Sequence, residues 1–126
     1  MRWFLVLVAA TAYAEPFEKA VEPFLADYCI QCHGEKKQKG NFRVDNLSRD
    51  FAAGADAELW HEIILRLGAG EMPPEDERQP GAVESNRVLE YLAERLKEGE
   101  AARLAKRAPV EHYRLSRDEY AHTIYD

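Results

Sequence analysis

Apolar positions recur with helical spacing in three stretches of this chain. Phe17, Val21, Phe24, Leu25 and Tyr28 fall at i, i+4, i+7, i+8 and i+11, one face of a helix spanning Pro16 to Tyr28. Pro23 lies inside that stretch. It lacks a backbone donor, so it is expected to kink the helix or restart it. Leu59, Trp60, Ile63, Ile64 and Leu67 form a second stripe, which Gly54 precedes and Gly68-Ala69-Gly70 closes. Pro73 and Pro74 forbid helix beyond Met72, because a residue before proline is pushed out of the helical region. Val83 to Lys97 predicts a third helix, with Val88, Leu89, Leu92 and Leu96 inward and Gly99 as its C-cap. Gly34 to Gly40 is a polar, lysine-rich loop, Asn41 to Leu47 a short extended piece with weak alternation, and Glu75 to Gly81 a charged loop. Glu100 to Arg107 has the composition of a charged linker helix, broken by Pro109. Ser116-Arg117-Asp118-Glu119 is a capping box that opens a further helix.

The ends of the chain have a different character. Arg2, the apolar run from Trp3 to Ala10, and Ala12-Tyr13-Ala14 make a secretory signal peptide cut before Glu15. The rival is a membrane anchor, but the run is shorter than the ~20 residues a spanning helix needs. This gives a signal peptide over 1–14, a folded domain over 15–99, a linker over 100–113 and the truncated start of a following domain over 114–126. Tyr120 and Ile124 continue an apolar face with nothing after it to pack against, so the expectation is the front end of a longer exported protein, periplasmic or at the cell surface. Seventeen Lys and Arg against 23 Asp and Glu leave a net charge of −6 across 126 residues. That balance argues against nucleic-acid binding, which needs clustered cations. No membrane span is expected in the mature chain.

Chemistry concentrates at Cys29-Ile-Gln-Cys32-His33, the attachment pattern of c-type haem. Two thiols three residues apart reach the two vinyl groups of one porphyrin, and the imidazole that follows sits beneath the iron. Met72 is the only internal methionine and lies in a Gly- and Pro-punctuated loop, off any helix stripe. A soft thioether stabilises ferrous iron and raises the reduction potential. The rivals for the cysteine pair are a zinc site, which lacks a second close pair of ligands, a thioredoxin-type pair, which lacks a preceding strand, and a disulfide closing a very small loop. For Met72 the rivals are a gap-filling core residue and His61 as the distal ligand instead. His112 and His122 read as surface or interdomain residues. Trp60 reads as core, with an indole N–H given to a haem propionate as the alternative. Arg43 and Arg66 read as solvated, or else as propionate partners. Lys36, Lys37 and Lys39 form either a solvated loop or a docking patch.

These residues resemble a known family. Phe17 to Gly34, Lys39-Gly-Asn-Phe-Arg-Val-Asp45, Trp60 and Gly70-Glu-Met-Pro-Pro74 are similar to a small class I cytochrome c domain of the planctomycete-type exported cytochrome c proteins. The tail from Arg114 to Asp126 is similar to the opening of the uncharacterised domain that follows it there. The resemblance implies an all-α fold, three main helices around one covalently attached haem c. It implies thioethers from Cys29 and Cys32, with His33 and Met72 as iron ligands. It also implies one-electron transfer to a redox protein partner or to a following domain of the same chain. A haem-based sensor or peroxidase-like module with a labile Met72 is the alternative. The chain departs from many such cytochromes in having no proline between His33 and Pro73 to supply a carbonyl to the proximal imidazole N–H. The residues offer no nucleophile or acid–base pair, so an electron carrier is expected rather than an enzyme.

Overall fold

Pro23 restarts the first helix rather than bending it. The computed structural model describes residues 15–107 and 116–125, so the signal-peptide reading and His112 lie outside the described residues. α1 (Phe17–Ala20) stops at Val21, whose φ of −121° leaves the helical region, and α2 (Glu22–Tyr28) begins at once. Pro23 thereby falls in the first turn of α2, where its missing N–H would have had no helical partner anyway. Bonds from Val21 N to Phe17 O (2.9 Å) and Leu25 N to Val21 O (3.0 Å) carry the register across the break. Phe17, Val21, Phe24 and Leu25 therefore remain on one buried face.

α3 (Ala57–Gly68) follows a long irregular segment, and α4 (Ala82–Ala105) packs along α3 and against α1. Trp60 is 1% exposed and stands edge-on to Phe17, ring centroids 5.7 Å apart. Val88 and Leu92 of α4 complete this core. The piece from Asn41 to Leu47 forms no strand, although Phe42 is extended, and among the described residues the chain is helical without strands. Val44 and Leu47 from this piece are nonetheless buried in the core. Leu89 is only half-buried, and Leu59 is 40% exposed rather than in the core.

The third helix does not end at Gly99. It runs to Ala105 and absorbs most of the segment expected as a separate linker helix. The physical reason is a close approach. A Cβ at Gly99 would overlap the Phe51 carbonyl oxygen, and Arg103, one turn on, donates from Nη1 to that same oxygen at 2.6 Å. Gly99 is therefore a contact point for the 51–54 loop inside a continuing helix. Gly99→Ala is expected to cost about 1–3 kcal/mol by overpacking, read as a lower midpoint in denaturant of the full chain. α5 (Arg117–Tyr125) begins as the capping box predicts, with Ser116 N to Glu119 Oε2 at 2.8 Å and Glu119 N to Ser116 Oγ at 3.3 Å.

Candidate haem site

α2 delivers the cysteines. Its last turn runs on into a further turn, with Cys32 N donating to Cys29 O (3.1 Å) and His33 N to the same oxygen (2.9 Å). In that helical turn Cys29, Cys32 and His33 stand at i, i+3 and i+4, on one side of the chain. Gly34 lets the turn close: a Cβ there would lie 2.6 Å from the Ile30 carbonyl oxygen. The backbone on either side is pinned by Lys39 N to Cys32 O (2.9 Å) and Val44 N to His33 O (2.8 Å). Phe42 sets the imidazole edge-on, ring centroids 5.3 Å apart. His33 Nδ1 is buried and has no hydrogen-bond partner among the described residues, in keeping with the missing proline carbonyl.

α3 delivers the methionine through the way it ends. Gly70 takes a φ of +71°, while Gly70 N donates to Leu67 O (3.2 Å) and Glu71 N to Arg66 O (2.9 Å). This is the Schellman ending, which wants glycine at that position. It turns the chain sharply, so that Met72 leaves the helix axis. Arg66 pairs with Glu62 (2.6 Å) and Glu71 (3.2 Å), holding the root of the loop to α3.

The two deliveries converge. A cavity of about 530 Å³ is lined by Cys29, Cys32, His33 and Met72 together. Leu25 and Tyr28 of α2, Phe42 and Val44, and Leu59, Ile63 and Leu67 of α3 supply much of its apolar wall, with charged residues such as Glu62, Arg66 and Arg78 also lining it. Leu59 thus leaves the core to face this space. Met72 is 36% exposed. Burial pushes the Cys29 thiol up to about 11, which marks the surroundings as apolar. The residues fit a haem: the volume lies in the range of cofactor pockets, the wall is mostly apolar, and thiols, imidazole and thioether share it.

The remaining candidates sort themselves by position. His61 is exposed and does not line the cavity, so the geometry does not offer it as a distal ligand. Trp60 is core, and its indole N–H is engaged by the Ser48 carbonyl at 2.8 Å, which removes the propionate alternative. Arg43 binds Asp45 through both carboxylate oxygens, at 3.0 and 2.7 Å. Lys36, Lys37 and Lys39 are all exposed, and Lys39 also lines the cavity. The side chain of His122 lies outside the described residues. Both cysteines are free thiols, and no cluster of three His, Cys, Asp or Glu side chains forms among the described residues, so the zinc reading gains no further ligand.

Sequence reasoning passed over Arg78 and Gln79, which read only as parts of a charged loop. Arg78 lines the cavity with its guanidinium 5.0 Å from the centroid of the Tyr28 ring. Gln79 binds the carbonyls of the loop that carries Met72. Neither position carries a periodicity or a motif that would have announced it.

Residues 29–76 match the family model described as Planctomycete cytochrome C. The match takes in Cys29, Cys32, His33 and Met72, and it bears out the cytochrome c reading of this stretch. The helical architecture agrees with a small all-α cytochrome c fold. No curated protein and no solved structure matches the chain.

Proposed function

We propose that this chain, whose residues 29–76 carry the planctomycete cytochrome c pattern, transfers single electrons through one haem c. Cys29 and Cys32 would hold the group through two thioethers, and His33 and Met72 would be its axial ligands. When bound, the haem supplies a one-electron iron couple between Fe(III) and Fe(II). The chain's own residues do the rest. The thiol turn fixes the group, the apolar wall from Phe42, Ile63 and Leu67 excludes water, and the Met72 loop fills the distal position. With His33 and Met72 both holding the iron, no site would remain for substrate, which would fit a carrier rather than a catalyst. The observation that carries this reading is the cavity that gathers both thiols, the imidazole and the thioether.

The group is proposed to reside in the 15–99 domain of an exported protein, with residues 1–14 as its address. No helix among the described residues is long and apolar enough to cross a membrane. The partner is a redox protein or a following domain of the same chain, met through a small, transient contact. A redox titration of the mature holoprotein tests the function. The expected result is a reversible one-electron curve with carbon monoxide leaving the reduced spectrum unchanged. Ready carbon monoxide binding would instead favour a sensor or peroxidase-like module with a labile Met72.

A further inference from the structure

We propose that Gln79 is a positioning residue for Met72, its side-chain amide cross-linking the loop that carries the thioether. This rests on the reading of Met72 as a ligand and deepens it.

The loop from Glu71 to Gly81 has no helix or strand of its own. Pro73, Pro74 and Pro80 contribute no N–H. Among the described residues the backbone bond closed within 73–80 is Glu77 N to Pro74 O at 2.9 Å. Gln79 supplies the donors that the prolines lack. Its Nε2 donates to Pro74 O at 2.7 Å, Glu77 O at 3.1 Å and Pro73 O at 3.2 Å. Two amide hydrogens serve three carbonyls, so at least one is shared. Pro73 is buried and follows Met72 directly, so holding its carbonyl fixes the Pro73–Pro74 peptide, one residue beyond the ligand. A detached thioether rebinds readily only while its loop stays in place. Swinging the loop out would break the Gln79 bonds, so they keep the sulfur near its bound position when it detaches.

The test uses the mature holoprotein, as wild type and as Gln79→Leu, Gln79→Glu and Gln79→Asn, followed by three readouts: the ferric long-wavelength band of Met–iron coordination, carbon monoxide binding to the reduced form, and helical circular dichroism. The leucine and glutamate variants are expected to keep haem and helix. Their carbon monoxide affinity should rise about tenfold, the loss of one to two neutral hydrogen bonds converted to an equilibrium. The asparagine variant, one methylene shorter, should lie between. Side-chain amide exchange in the reduced wild type gives a reading that needs no variant: Gln79, exposed like Gln31 and Gln38 but bonded through its amide, should exchange more slowly than either. Variants that bind carbon monoxide as the wild type does, with an unchanged band and only a lower melting temperature, would overturn the proposal, as would amide exchange as fast as at Gln31. A wild type with no such band would overturn the Met72 reading and this proposal with it. A wild type with the band beside unaltered Gln79 variants would overturn this proposal alone.

Discussion

Cys29→Ser with Cys32→Ser is expected to give a colourless chain that no longer unfolds cooperatively. The cavity behind these residues holds about 530 Å³. Without the porphyrin its apolar wall, including the half-buried Phe42, Ile63 and Leu67, is left facing water, and fully burying such a side chain is worth about 1.5–3 kcal/mol. A whole small domain is stable by about 5–15 kcal/mol, and this one has a core of ten buried side chains. A covalently held porphyrin would fill the space and could not diffuse away. Thermal unfolding followed by circular dichroism checks this: a sharp transition in the wild-type holoprotein, and a broad, shallow one in the double variant. A haem-free chain that melts as sharply as the holoprotein would show that the core stands without the group.

Met72→Ala is expected to keep the pigment attached while changing its redox chemistry. The proposed thioethers would lie on the other delivering segment, from Cys29 and Cys32, so attachment would not depend on the loop. Removing the thioether opens the distal position, since His61 is exposed and away from the cavity. The ferric long-wavelength band should vanish, and the reduced form should bind carbon monoxide. Loss of a soft ligand disfavours ferrous iron, so the potential should fall. A hundredfold change in the one-electron equilibrium corresponds to about 120 mV, and a fall of at least that order is expected in a redox titration. An unchanged band and potential would remove Met72 from the ligand set.

The segments that carry the proposed ligands were legible because their chemistry is local. Cys29, Cys32 and His33 are fixed by their spacing on one turn, and Met72 by the glycine and prolines around it. The restart at Pro23 was legible for the same reason, since a missing donor belongs in a helix's first turn. What sequence reasoning misplaced depends on distant partners. Gly99 looks like a helix end until the Phe51 carbonyl is seen against it. Leu59 continues an apolar stripe, yet it faces the cavity because that wall too must be apolar. Val44 and Leu47 are core residues in a segment whose alternation was too weak to show it, tied in by the backbone bond from Val44 N to His33 O. Gln79 gave no sign, because its three acceptors are carbonyls, which every residue has.

The most direct test of the central claim is the absorption spectrum, oxidised and reduced, of the mature chain made in a host that matures c-type haem. The account predicts a pigment that stays with the chain under denaturation, with the ferric long-wavelength band of Met–iron coordination present in the folded protein. Covalent haem without that band would contradict Met72 as the distal ligand. A colourless folded protein would contradict the cytochrome reading itself.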